Sequence, residues 1–151
     1  MTKTTTFLLV EDDQNDAALL EMEFRNCPAR IRLLSVEDGQ QAMHFLDGLG
    51  VYSNREKHPL PDVILLDLKM PRINGFEFLE WLRGRSARHL RLIPVVVMSS
   101  SGLKEDVDRA YALGANSYMV KPIEWRPFRE RVKALGIYWS EHVEVPASRA
   151  A

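Results

Sequence analysis

Five side chains in this sequence can do chemistry together if the fold brings them to one place: Glu11, Asp12, Asp67, Ser99 and Lys121. Each follows a short apolar run. Phe7-Leu8-Leu9-Val10 leads into Glu11-Asp12-Asp13, Val63-Ile64-Leu65-Leu66 into Asp67, Val95-Val96-Val97-Met98 into Ser99, and Ser117 to Val120 into Lys121-Pro122. Three carboxylates held close cannot all stay ionised without a cation, because like charges raise one another's pKa. A hard divalent ion removes that conflict. Mg²⁺ takes one or two carboxylates, keeps several waters and leaves a position for a phosphoryl oxygen. A lysine and a hydroxyl beside it supply a phosphoryl group with a charge partner and a hydrogen-bond donor. Taken singly, the residues have plainer readings. Asp67 can cap the turn that follows it, Glu11-Asp12 a helix start, Ser99 a turn, and Lys121 can be a solvated strand end.

The elements decide between these readings. An uninterrupted apolar run such as 63–66, bounded by Pro61 and by Pro71-Arg72-Ile73-Asn74-Gly75, reads as a strand buried on both faces. Strands are expected at 7–10, 31–36, 63–67, 92–98 and 117–120. Between them, residues 14–27 place Ala17, Leu20, Phe24 and Cys27 on one helical face, closed by Pro28. Asp38 with Gln41 opens a second helix carrying Ala42, Phe45, Leu46 and Leu49, and Asn74-x-x-Glu77 caps a third. A fourth is expected at 103–113, stopped by Gly114, and a last one at 124–138 with Phe128, Val132 and Leu135 on one side. Residues 48–60 form a long loop punctuated by Pro and Gly. Five βα units in alternation predict an α/β fold, a doubly wound parallel sheet with helices on both faces and right-handed crossovers. Ligands bind at the carboxyl edge of such sheets, where all five candidate residues fall.

Val10-Glu11-Asp12-Asp13, Leu65-Leu66-Asp67-Leu68-Lys69-Met70-Pro71-x-x-Asn74-Gly75, Pro94 to Ser99 and Tyr118-Met119-Val120-Lys121-Pro122 together resemble the receiver domains of two-component response regulators, the chemotaxis-regulator-like superfamily. The resemblance covers residues 6 to 138 and implies a five-stranded flavodoxin-like sheet of order 2-1-3-4-5. It implies that Asp67 is the phosphoacceptor and that Glu11, Asp12, Asp67 and the Lys69 backbone carbonyl hold Mg²⁺, Asp12 more directly than Glu11. Ser99 and Tyr118 match the switch residues, Lys121 the invariant lysine, and Lys121-Pro122 the family's cis peptide. One departure is Lys69, a cation where a polar residue is common. The 48–60 loop and the stretch from Trp139 to Pro146 are also similar to single-domain regulators that serve bacterial and cyanobacterial phytochrome kinases.

The resemblance further implies a signalling protein rather than a turnover enzyme, with phosphotransfer and slow autodephosphorylation as its own chemistry. The implied partner is a sensor histidine kinase, a bacteriophytochrome among the options, or a histidine phosphotransfer protein. Residues 1–138 are expected to form the receiver and 139–151 a tail. With nothing after residue 151, output is expected to leave through the surface of 103–113, 117–120 and 124–138. Trp139, Val143 and Val145 extend that surface in a homodimer, or else Trp139 folds back on the last helix. Two rivals fit less well. A haloacid dehalogenase-like phosphatase needs an aspartate where Lys69 stands, and the Glu11-Asp12-Asp13 loop would repel the phosphate of a flavodoxin's FMN.

Composition narrows the rest. A net charge of −1 gives no electrostatic reason to bind nucleic acid or an anionic membrane. Arg83, Arg85, Arg88, Arg91 and His89 cluster, but near-zero net charge favours a solvated loop beside a helix end. A single cysteine, Cys27, excludes an internal disulfide framework and fits a reducing compartment. With no apolar run of membrane length and no signal-like start, the chain is expected in the cytoplasm. Gly48-Leu49-Gly50 follows a helix and lacks a third glycine, so it is no dinucleotide fingerprint.

Overall fold

Side chains alternate faces along a strand, so a run of apolar residues in a central strand must feed two cores. The computed structural model, which describes residues 3–147, shows this directly. Its strands are β1 (Thr5–Val10), β2 (Ile31–Val36), β3 (Val63–Leu66), β4 (Val95–Ser99) and β5 (Ser117–Val120). Its helices are α1 (Gln14–Asn26), α2 (Gly39–Asp47), α3 (Gly75–Arg83), α4 (Arg88–Arg91), α5 (Lys104–Ala112) and α6 (Trp125–Ile137). The strands form one parallel sheet in the order β2-β1-β3-β4-β5, as expected. Leu8, Val10, Ile64, Leu66, Val95 and Val97 face a core completed by Phe45 and Leu46 of α2, Phe78, Leu79 and Leu82 of α3 and Ala110 of α5. Their neighbours Phe7, Leu9, Val63, Leu65, Val96 and Met98 face the other core, against Leu20 and Phe24 of α1 and Phe128, Val132 and Leu135 of α6. A one-residue slip in any central strand would exchange those sets, so packing on both faces fixes the register.

That register sets the functional edge. Val10 lies opposite Val36 and Leu66, Leu66 opposite Val97, and Ser99 opposite Val120. Residues 11, 67 and 121 therefore all leave the sheet on one side. Helix starts on that side are locally encoded. Asp13 caps α1 by accepting from the Asn15 and Asp16 N–H groups at 2.9 and 3.0 Å. Asp38 caps α2 through the Gln41 N–H at 2.8 Å. Asn74 and Glu77 form a reciprocal capping box at α3, with bonds of 3.0 and 3.2 Å.

Three regions differ from the sequence expectation. The arginine segment contains the extra helix α4, and Arg83 is a structural clamp rather than a solvated cation. Its guanidinium donates to the Gly114, Arg91 and Ile93 carbonyls and to Asn116 Oδ1, all at 2.8–2.9 Å. Arg85 pairs with Asp47 at 2.7 Å and lies over the Trp81 ring. The 48–60 loop, which begins with a short 3₁₀ turn at Gly50–Tyr52, is ordered by Arg55. That side chain donates to Phe45 O and Leu46 O, both at 2.7 Å, and so caps the end of α2. With the helix stopped by left-handed Gly48, Leu49 lies beyond it and is exposed rather than on its apolar face. Phe45, Tyr52 and His58 stack edge to face and tilted beside it, with centroids 5.2–5.8 Å apart. Finally, α6 runs on into a wider π turn at Tyr138–His142 that the sequence does not predict, while Trp139 folds back with Val145 on the α1/α6 core, the second of the two expected alternatives. No helix among the described residues is long and apolar enough to cross a membrane.

Candidate functional site

The site is built from four loops at the carboxyl edge. At the end of β1, Glu11 is buried at 3% exposure and Asp12 is exposed. Asp67 follows β3; its N–H donates to Val10 O at 3.0 Å, and its Oδ1 accepts from the Leu68 N–H at 2.8 Å. One backbone contact ties it to β1 and the other fixes its carboxylate. The result is that oxygens of Glu11, Asp12 and Asp67 lie within 4.8 Å of one another. Lys121 follows β5, with its N–H bonded to Ser99 O at 2.8 Å. Its ammonium donates to Glu11 Oε1 and, at 3.0 Å, to Asp16 Oδ2.

The electrostatics follow from burial. Burial pushes the Glu11 carboxyl up to about 8, and the neighbouring Asp67 carboxylate pushes the same way, while Lys121 opposes both. Burial disfavours the Lys121 ammonium, but the Asp67 charge and the Glu11 hydrogen bond and charge outweigh it. Its pKa therefore ends above the ordinary lysine value. Glu11 Oε2 is buried with no hydrogen-bond partner. An orphaned carboxylate oxygen beside two further carboxylates is an all-oxygen donor set that suits a hard divalent cation.

Ser99 is fully buried and its Oγ accepts from the Ser101 N–H at 3.1 Å. The Tyr118 hydroxyl donates to Ser101 O at 2.8 Å, so the serine loop and the half-buried tyrosine are held together. Lys69 lies two residues past Asp67 with its side chain exposed. The expected cis bond at Lys121-Pro122 is a correction: no peptide bond among the described residues is cis. Proline lowers the trans preference to only about 0.5–1 kcal/mol, so the dipeptide alone does not select an isomer. The trans bond here still lets Lys121 reach Glu11.

Three site features escaped the sequence reading. Asp16, in the first turn of α1, shares the lysine; its position four residues after Asp12 on a helix start was the available signal. Buried Asp38 pairs with Arg72 Nε at 2.9 Å, and Arg72 sits at φ 64°, so this clasp holds the loop after Asp67. Gly75 is the third. A Cβ there would stand 2.4 Å from Asp67 O and 2.7 Å from Leu68 Cα, both backbone atoms that cannot swing aside. Gly75→Ala is therefore expected to force the β3–α3 junction apart and cost about 3 kcal/mol, the upper range for overpacking. A lowered urea midpoint at unchanged m-value would show it.

A sheet of this order with an acid cluster and a lysine at its carboxyl edge is the architecture the receiver resemblance implied, and similarity to known proteins agrees. The chain belongs to the response regulator receiver domain family, whose profile matches residues 7–133. It is 34% identical over 141 residues to Response regulator Rcp1 of Synechocystis, covering 93% of this chain and 92% of that protein. The crystal structure of the phosphorylated cyanobacterial phytochrome response regulator RcpA matches with a TM-score of 0.88 at 31% identity, over 96% of this chain and 100% of that one. The Mn²⁺-bound form of Rcp1 matches with a TM-score of 0.85 at 34% identity, over 95% and 99%. This is a two-component response regulator of single-domain size with phytochrome response regulators among its homologues.

Proposed function

We propose that Asp67 accepts a phosphoryl group from a phosphohistidine of a sensor histidine kinase, a phytochrome kinase being the source favoured by the Rcp1 and RcpA similarity. A histidine phosphotransfer protein is the alternative donor. The observation that carries this reading is the cluster of Glu11, Asp12 and Asp67 oxygens within 4.8 Å with the Lys121 ammonium on Glu11. Glu11, Asp12, Asp67 and the Lys69 carbonyl are the proposed Mg²⁺ ligands. The ion would neutralise carboxylate charge and the charge developing on the phosphoryl oxygens.

The chain's own residues do the rest. Ionised Asp67 is already a competent nucleophile, so no general base is needed. Its oxygen forms the new P–O bond as the P–N bond to the donor histidine breaks, and the electron pair leaves with the imidazole. Lys121 neutralises charge on the transferring group. The acyl phosphate then draws the Ser99 hydroxyl to a phosphoryl oxygen, and Tyr118 follows into the space released, biasing the surface of α5, β5 and α6. Slow autodephosphorylation by water resets it. Residues 1–138 form the receiver. The 139–151 tail (of which 148–151 lie outside the described residues) anchors on the α1/α6 core through Trp139 and Val145, a homodimer forms through the α5, β5 and α6 surface, and the protein works in the cytoplasm.

Incubation with Mg²⁺ and acetyl phosphate followed by intact mass and peptide mapping tests the proposal. One hydroxylamine-labile phosphoryl group on the Asp67 peptide is expected. No mass gain, or a phosphoryl group on any other residue, would overturn it.

A further inference from the structure

An ammonium has three protons, and two of those of Lys121 are committed before any phosphoryl group arrives: one to Glu11 Oε1, one to Asp16 Oδ2 at 3.0 Å. The two partners are not equivalent. The Glu11 side chain is 1% exposed and cannot turn to water, whereas that of Asp16 is 36% exposed. Asp16 sits in the first turn of α1, where solvent and the helix N-terminus can satisfy its carboxylate once the lysine leaves. A phosphoaspartate carries a charge of about −1.5 to −2 and three strong acceptors, more than one carboxylate offers. The lysine must move toward it, and Asp16 is the partner it can release.

We propose that Asp16 is the resting-state counter-ion of Lys121 and competes with the phosphoryl group for its ammonium, so that Asp16 acts as a positioning residue that weakens the phosphorylated state. This rests on the reading of Asp67 as acceptor. A pair with one partner open to solvent is modest, so the competition amounts to about a threefold to fivefold effect on phosphoryl-site affinity.

The test uses beryllium fluoride as the phosphoryl mimic, titrated at saturating Mg²⁺ and followed by fluorine NMR. Asp16→Asn is expected to bind it about threefold to fivefold more tightly than wild type, since it removes a pair of that strength. Asp16→Glu, which restores the charge, returns toward wild-type affinity. Glu21→Gln, removing an exposed charge from the same helix, leaves it unchanged. In a Lys121→Met background the Asp16→Asn gain disappears. Unchanged or weaker binding by Asp16→Asn would overturn the proposal. So would a gain that persists without the lysine, which would mean direct repulsion of the mimic. A crystal structure of the loaded wild-type protein gives a second reading independent of the variants. Lys121 Nζ is expected beyond about 4 Å from Asp16, the limit of an ion pair, and a retained contact would sink the competition. Wild-type protein that ignored the mimic, or an Asp67→Asn protein that bound it equally, would overturn the acceptor reading itself and this proposal with it.

Discussion

Lys121→Met is expected to slow phosphoryl acceptance from acetyl phosphate by about 10²–10³-fold, the typical loss when one preorganised donor is removed from a site of developing charge. Asp67→Asn, lacking the nucleophile, is expected to abolish acceptance. The lysine is held charged beside the cluster before the reaction begins, within reach of the transferring group once Asp16 releases it. Its backbone N–H is bonded to Ser99 O and its ammonium is held among Glu11 and Asp16. The surrounding carboxylates keep it charged despite burial. Methionine retains most of the buried stem, so the substitution removes charge rather than packing. It also removes a cation from the carboxylate cluster, and divalent-cation affinity is therefore expected to hold or rise while the rate falls. That opposition separates a lost lysine from a damaged metal site. An intact-mass time course at saturating Mg²⁺ measures the rate. A Lys121→Met protein within tenfold of wild type would take the lysine out of the transfer step.

The edge of the sheet was legible because each strand that reaches it is written locally. Val63 to Leu66 has no polar face, so it can only be a central strand, and the carboxylate that ends it has to emerge at the edge. Asn74 and Glu77 wrote the start of α3 in the same local way. What stayed hidden depends on pairs far apart in the chain. Asp16 meets a lysine 105 residues away, and an acid in a first helical turn otherwise looks like a helix-dipole partner. Arg83 clamps carbonyls on the α4–β4 stretch and beyond α5, and until those segments are placed its guanidinium has no visible acceptors. The 48–60 loop reads as polar punctuation, yet Arg55 binds it to the end of α2 and gives it an aromatic cluster of its own. The π turn at Tyr138–His142 has no periodic signature either, and the partners of Trp139 and Val145 come from a core assembled from α1 and α6.

Divalent-cation affinity is expected to rise about tenfold per pH unit from pH 6 to 8 and to level off above, because the ligand carboxylate must lose a proton before it can coordinate. Glu11 is the group responsible. Its carboxyl moves from about 4.5 to about 8, through burial first and the neighbouring Asp67 second. Between those two values the metal-free folded protein retains a proton that the unfolded chain has released. By linkage, the stability this proton confers is full below pH 4.5 and is lost as pH rises through 8. The metal-free protein is thus expected to melt at progressively lower temperature from pH 6 to 8. Excess Mg²⁺ should flatten or reverse that trend, since it binds the ionised native cluster. Calorimetric titration in two buffers of different ionisation enthalpy reads the proton directly. About 0.9 proton per metal is expected to be released at pH 7, from a group titrating near 8, and almost none at pH 9. Glu11→Gln is expected to remove both the proton release and the pH slope while leaving Asp12 and Asp67 to bind more weakly. If cation binding to wild type released no proton at pH 7, Glu11 would already be ionised in the free protein. Lys121 would then outweigh burial and Asp67 in setting its charge.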